Sequence, residues 1–413
     1  MTATHETPAP DRVPDRVPDR AAPPPRAVAP ALLVAAILLL ALNLRGPIVA
    51  VSPVTEAIRA DLGIDAGTAG LLTSLPVLCF GLATPLASAL LARTGLGRGV
   101  LVALGVLLAG TVVRSLDGLP AAIAGTLLIG AAITVGNVAV PVVIGRDLPR
   151  QAGAVLGMYT AALNIGSMIT LSLTVPIAGA TDWRFALASW GVLVVVAAGV
   201  WWWATRSLGT GTPAGATGAE TSSAGPVWWR RPVVWGLTIA FAGQAFAYYG
   251  VTAWLPLLLG DELGMSETAA GVSSSVFQVA AIVGAFGVPV LLRLCPSPRI
   301  VVAVVCAAWA ALPLGLLLAP QDWAVWCALG GAAQGGGITV IFSLVVRKAR
   351  DLTENRRMSA LVQGGGYTVA ATGPAVVGAV HEATGGWSGP LLVVLAAVLV
   401  LFTAGLAASG RTP

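Results

Sequence analysis

Charge is scarce in this chain. Its 23 Lys+Arg and 18 Asp+Glu make up 10% of 413 residues, against roughly 25% in soluble domains. A solvated globular surface cannot be built from so few charges. The same shortage excludes a disordered or nucleic-acid-binding protein. Histidine occurs only twice. No HExxH pairing, mid-span carboxylate or clustered nucleophile and base is present, which argues against an enzyme. The four cysteines (Cys79, Cys295, Cys306, Cys327) sit in or beside apolar runs without CxxC spacing. They read as small buried residues rather than disulfides or metal ligands, and no cofactor is expected.

What the chain has instead is apolar length. Hydrophobic residues make up 56% and the mean hydropathy is +0.86. A bilayer core of ~30 Å takes about 20 apolar residues per helix. By that measure twelve spans are predicted, at 30–51, 68–91, 99–114, 119–145, 152–178, 184–204, 232–259, 268–292, 300–319, 322–346, 358–380 and 388–409. Residues 1–29 carry a DRVP repeat and Pro23-Pro24-Pro25, so they read as a disordered tail, and no signal-peptide pattern follows. Residues 205–231, with Gly209-Thr210-Gly211-Thr212-Pro213, have linker composition. They separate a six-helix bundle over 30–204 from a second over 232–409. The expected fold is an all-α polytopic membrane protein of twelve transmembrane helices in two pseudo-symmetric halves.

Cations set the orientation. Nineteen lie in the tail, the even-numbered loops and the C-terminus, and three (Arg59, Arg114, Arg184) lie on the other side. Both termini are therefore expected in the cytoplasm. The remaining cation is Arg45, within Asn43-Leu44-Arg45-Gly46-Pro47 of span 1. An intramembrane charge costs at least ~2.5–3.5 kcal/mol on insertion scales. One reading has Arg45 snorkel to the headgroups. The other places it in a central cavity facing an anion or a strongly polar solute, for which the guanidinium fork is suited. Pro47 lacks an N–H, so the carbonyl of Asn43 loses its helical partner. Asn137 and Pro141 repeat that spacing in span 4, so non-helical backbone lining a cavity is expected at both places.

The halves align at an offset of 201: Leu62-Gly63 with Leu263-Gly264, Ala69-Gly70 with Ala270-Gly271, Gly130-Ala131-Ala132 with Gly331-Ala332-Ala333, and Arg146 with Arg347. Spans 3, 6, 9 and 12 are nearly bare of polar residues. The polar set falls elsewhere: Asn43, Asn137, Tyr159, Asn164, Gln244, Tyr248, Tyr249, Thr252, Gln278, Gln334, Gln363 and Tyr367. Buried amides and phenols need partners or water. A cavity lined by spans 1, 4, 7, 10 and their neighbours accounts for the pattern, and helix-to-helix hydrogen bonding accounts for any one residue alone. Gly335-Gly336-Gly337 and Gly364-Gly365-Gly366 permit close packing or act as hinges.

These residues resemble bacterial major-facilitator transporters of the cyanate/nitroimidazole (CynX/NimT) branch over roughly residues 30–405. The resemblance rests on the span 1 segment, on Ala69-Gly70-Leu71-Leu72-Thr73-Ser74-Leu75-Pro76-Val77, and on Tyr248-Tyr249-Gly250 with Trp254-Leu255-Pro256. In span 11 it rests on Gln363-Gly364-Gly365-Gly366-Tyr367, Gly373-Pro374, His381-Glu382 and Trp387. The superfamily's loop motif between spans 2 and 3 is degraded: Ser88 and Ala92 replace its first Gly and its Asp, while Arg93, Gly95 and Arg98 remain. The resemblance implies carriage of a small anion such as cyanate, or of a polar heteroaromatic such as a nitroimidazole, across the bacterial inner membrane by alternating access.

Arg45 is the expected anchor. Asn43, Tyr159, Asn164, Gln244 and Tyr248 are expected polar contacts and Trp254 an apolar wall. Asn137, Gln334, Gln363 and Tyr367 are secondary candidates. His381 and Glu382 are the candidate proton-coupling pair, against the plainer reading of a solvated helix end. The expected partners are a small solute and the lipid bilayer, with no nucleic acid, and the chain is read as a monomer. The alternatives are a broader drug or metabolite efflux carrier of the same superfamily and, less favoured, a channel.

Overall fold

The computed structural model describes residues 30–206, 228–350 and 352–410. The expected tail and most of the expected linker lie outside the described residues. Every regular element among the described residues is a helix.

Span 1 is broken, as its prolines require. α1 (Pro30–Leu42) ends in a turn at residues 43–45; α2 (Gly46–Val49), a 3-10 turn (Ser52–Val54) and α3 (Thr55–Leu62) follow. Pro47 and Pro53 each sit in the first turn of the element they open, where a missing N–H costs nothing. Span 2 is α4 (Ala66–Leu82) and α5 (Thr84–Thr94), bent by 62° at Ala83; Pro85 opens α5. Next come α6 (Leu96–Arg114), α7 (Leu119–Asp147) and α8 (Ala152–Ala180), then α9 (Trp183–Ser189) with α10 (Gly191–Thr205). The second half runs α11 (Pro232–Leu263), α12 (Glu267–Leu294), α13 (Pro298–Leu318), α14 (Trp323–Lys348), α15 (Leu352–Ala370) with α16 (Gly373–Thr384), and α17 (Ser388–Ser409).

One expectation about breaks needs correction. α7 runs through Pro141 unbroken. A single proline removes one backbone bond, whereas span 1 carries two prolines within seven residues, one of them after a glycine. Span 11 breaks at Ala371–Thr372, ahead of Gly373-Pro374, and not at its glycine triplet. Each triplet holds a glycine at a close helix contact. A Cβ on Gly335 would lie 2.0 Å from the Ala281 carbonyl oxygen, and one on Gly366 would lie 2.3 Å from the Phe241 ring.

Nine helical segments among the described residues are long and apolar enough to span a bilayer, or ten with the bent α4–α5 pair. α11 and the α15–α16 pair fall outside that set, although α11 has 32 residues. These are the segments that carry Gln244, Tyr248, Tyr249, Thr252, Gln363 and Tyr367. Their lower hydropathy follows from these polar residues.

The two halves meet tightly at the end opposite the described chain termini. There the Ser52 hydroxyl donates to the Ala253 carbonyl at 2.5 Å, so a residue and its offset-201 counterpart touch. The Ala66 N–H, at the start of α4, donates to Glu382 Oε2 at 3.1 Å, and Arg59 stands 3.9 Å from the same carboxylate. A carboxylate at a helix N-terminus is favoured by the helix dipole. Asp65 caps the same helix through the Thr68 N–H at 2.6 Å, and that bond holds its carboxyl below the usual range. Its contribution is therefore complete above about pH 4 and is lost as the pH falls through its folded value. Backbones touch at this end as well: Gly70 packs on Pro374 and Ala375, and Gly271 on Leu171. Toward the terminal end the α4–α15 seam closes last where Gly81 meets Gly364 and Thr368. Beyond it the bend turns α5 onto α6 and α7, leaving Leu82 and Leu86 exposed.

Candidate functional site

The break in span 1 sets the site. Arg45 occupies the position before α2 with φ −125° and ψ −34°, outside helical geometry. Its Nη1 donates to Asn164 Oδ1 at 3.3 Å, and its guanidinium carbon lies 5.1 Å from the centre of the Tyr248 ring on α11. The charge therefore spans from α8 of one half to α11 of the other. No carboxylate among the described residues pairs with it. Its partners are an amide and an aromatic face, each of which leaves a cation unneutralised.

Aromatic rings complete the surroundings. The chain has four tyrosines, and all of them (Tyr159, Tyr248, Tyr249, Tyr367) lie within electrostatic range of Arg45. Tyr248 packs edge-on to Tyr249 at 4.8 Å, and Tyr249 packs against Tyr367 at 6.5 Å. Tyr367 meets Phe80 from the first half at 5.5 Å and Phe241 at 5.1 Å. The Tyr159 hydroxyl donates to Asn137 Oδ1 at 3.2 Å. The Tyr248 hydroxyl donates to Gln278 Oε1 at 3.4 Å, and Gln278 Nε2 donates to Thr252 at 3.3 Å. Each phenol needs such an outlet when buried. The result is one fixed cation in a frame of rings, two of which, Tyr159 and Tyr248, have their hydroxyls tied to amides behind them.

The structure thus brings together Arg45, Asn164, Tyr159, Tyr248, Asn137 and Tyr367 from the predicted set. Tyr249 joins them. The others stand apart. Asn43 is buried and its Nδ2 donates to the Leu39 carbonyl at 2.8 Å and the Leu193 carbonyl on α10 at 3.3 Å. Gln244 is fully buried inside the second half. Its Nε2 donates to the Gln334 carbonyl and its Oε1 accepts from Trp309 Nε1, both at 2.9 Å. The Gln334 side chain is buried with neither amide atom partnered by protein. Gln363 is exposed on α15. Trp254 donates to the Pro374 carbonyl at 2.8 Å. With Trp387 it lines an apolar crevice between α11, α13, α16 and α17. His381 stacks on Trp387 with ring centres 4.1 Å apart, at the closed end beside Glu382.

Gln244 gives a direct test of the separation. Replacing it with Leu leaves Trp309 Nε1 buried without an acceptor, at a cost of about 1 kcal/mol. Gln244→Leu is expected to lower the melting temperature of the detergent-purified protein and to leave solute affinity unchanged. A loss of affinity at unchanged melting temperature would put Gln244 in contact with solute.

One cation has a buried partner that the sequence does not signal. Arg114, the last residue of span 3 and counted on the non-cytoplasmic side, is 1% exposed and its Nη1 donates to the Pro47 carbonyl at 2.6 Å. A span-end arginine has no sequence signal that distinguishes a loop from the interior.

A sequence profile described as Major Facilitator Superfamily matches residues 31–349. The chain is 32% identical over 377 residues to the uncharacterized transporter YycB of Bacillus subtilis, covering 90% of this chain and 92% of that one. It is 29% identical to a 2-nitroimidazole transporter of Escherichia coli (91% and 95% covered) and 25% identical to the cyanate transport protein CynX of the same organism (85% and 90% covered). The fold is similar to a crystal structure of the nucleoside transporter NupG, with TM-score 0.73 at 12% identity over 92% of this chain and 100% of that one. It is similar too to an inward-open structure of the xylose transporter XylE of E. coli, with TM-score 0.71 at 12% identity over 93% and 96%. Taken with the twelve-span helical architecture and its repeated halves, these matches establish that the chain belongs to the Major Facilitator Superfamily and is a secondary transporter of small solutes, of the CynX/NimT type.

Proposed function

We propose that the solute is a small anion or an electron-rich planar polar compound, cyanate-like or nitroimidazole-like, held between the halves at Arg45. The observation that carries this reading is a mid-bundle guanidinium with no carboxylate partner among the described residues, set against the Tyr248 face and Asn164. A guanidinium offers in-plane donors to a cyanate or nitro group. The surrounding phenyl faces suit a planar ring. A cationic drug would meet like charge here, which disfavours a general exporter of cations. The printed functions of two E. coli relatives, 2-nitroimidazole and cyanate transport, support the same class.

The chain would work as a monomer in the bacterial inner membrane, by alternating access, with both termini in the cytoplasm. The excess of Lys and Arg in the tail and the loops at the terminal end supports that orientation. His381 and Glu382 are the proposed coupling pair. A proton on Glu382 would weaken its hold on α4 and Arg59.

A thermal-shift titration of the purified protein with sodium cyanate and with 2-nitroimidazole tests the reading. At least one is expected to raise the melting temperature of the wild type, by mass action on the folded state, and to leave an Arg45→Ala variant unmoved. Equal shifts in both proteins would remove Arg45 from the site.

A further inference from the structure

The geometry points to Arg114 as a positioning residue for Arg45, acting through the backbone of the break in span 1. This inference rests on the reading of Arg45 as the solute anchor. The backbone ladder of α2 ends with the Ala50 N–H on the Gly46 carbonyl, so the Pro47 carbonyl is the first one beyond it. A carbonyl left over at a helix end needs a donor from elsewhere, and Arg114 Nη1 supplies it at 2.6 Å. Arg114 is the last residue of α6, where the helix dipole favours a cation. Its Nε and Nη2 are sealed from solvent and meet no protein acceptor. A buried charge in that condition is costly as a stabilising device, and an apolar residue of similar volume is often better for stability alone. The bond to Pro47 gives it a different task.

The geometry on the other side of Arg45 is the same. Asn43, two residues earlier, is tied to the Leu193 carbonyl on α10. Pro47, two residues later, is tied to α6. Both ties run into the first half, away from α11. The non-helical residue between them is held in register with its side chain directed across to Tyr248. Without the Arg114 tie the segment from Gly46 to Ala50 can slide or rewind, and Arg45 moves with it. A displacement of about 1 Å can cost on the order of a hundredfold at a site that depends on orientation.

The test uses two readouts on the full chain. In a background with Cys79, Cys295, Cys306 and Cys327 changed to Ala, Arg45→Cys is reacted with a small methanethiosulfonate, with Arg114 intact, as Arg114→Lys, or as Arg114→Met. Arg114→Met is expected to change the labelling rate at position 45 about tenfold, and Arg114→Lys, which keeps a long cationic donor, to change it little. With Arg45 intact, 2-nitroimidazole and cyanate affinities are compared for the same Arg114 variants. Weakening by Met with recovery in Lys is expected. A lowered melting temperature with unchanged labelling and unchanged affinity would mean that Arg114 is only structural and would overturn the inference. If Arg45→Ala binds solute normally while Arg114→Met still alters labelling, the solute reading fails and the positioning role stands. Should Arg114→Met not accumulate in the membrane, Arg114→Gln, too short to reach Pro47, replaces it.

Discussion

Gly70→Leu is expected to stall transport by preventing the closed end from forming, while the solute site is left intact. A Cβ at Gly70 would stand 2.8 Å from the Pro374 carbonyl oxygen and 2.9 Å from the Ala375 Cα and N. Those atoms are backbone and cannot swing aside as a side chain would. The larger leucine must push α4 and α16 apart, which also pulls the Ala66 N–H from Glu382. A Cβ at Gly271, its counterpart at the offset of 201, would stand 2.5 Å from the Leu171 carbonyl oxygen of α8, so Gly271→Leu should act alike through the other seam. Overpacking of this kind costs about 1–3 kcal/mol or more. That is enough to shift a two-state equilibrium between about fivefold and 150-fold. In proteoliposomes, 2-nitroimidazole or cyanate flux is expected to fall by that order, with affinity in detergent changed by less than about threefold. A cysteine pair at Ser52 and Ala253, which touch in the closed end, should cross-link readily in the wild type and poorly in either leucine variant. Undiminished cross-linking would show that the glycines do not govern closure.

The second large effect is expected at Arg45. Arg45→Ala removes the charge that faces the solute, and hydrogen bonds to charged groups contribute about 1.5–3 kcal/mol each. Affinity should fall by roughly 10- to 150-fold. Arg45→Lys should recover only part of it, because an ammonium keeps the charge but not the planar fork. Tyr248 gives a graded control. Tyr248→Phe keeps the ring under Arg45 and loses only the bond to Gln278. Tyr248→Leu removes the cation–π contact, with an expected cost of about 0.5–2 kcal/mol. Equilibrium binding of labelled solute to purified protein separates the four variants. A Lys variant as good as wild type would mean that charge alone suffices and that fork geometry is not used.

Much of this arrangement is legible in the sequence. Scarce charge allowed every cation to be placed, and Arg45 emerged by elimination. Gly-Pro steps at 46–47 and 373–374 coincide with breaks, because proline cannot donate inside a helix yet is comfortable in a first turn. The repeat pairs Ala69-Gly70 and Ala270-Gly271, seen only as an alignment, turned out to lie where backbones of the two halves touch. What could not be read was direction. Asn43 and Arg45 are two residues apart, and only the geometry of the turn sends the amide to α10 and the guanidinium to α11. Gln244 is six residues before Gly250 on the same polar stretch as Tyr248, yet it faces Trp309 inside its own half. Trp254 lies six residues, about 9 Å of helix, beyond Tyr248, and packs on Trp387. Arg114 is a related case: the sequence shows that a cation ends a span, not whether its side chain turns outward or back to a carbonyl freed by a break in another helix.

The most direct test of the solute site is a structure of the full chain determined with 2-nitroimidazole or cyanate bound. The ligand is expected between the halves, its oxygen or nitrogen acceptors within hydrogen-bond distance of the Arg45 guanidinium and one face or edge against Tyr248. Density in the apolar crevice beside Trp254 and Trp387, with Arg45 still on Asn164 and no ligand near it, would contradict the assignment of Arg45 as the anchor.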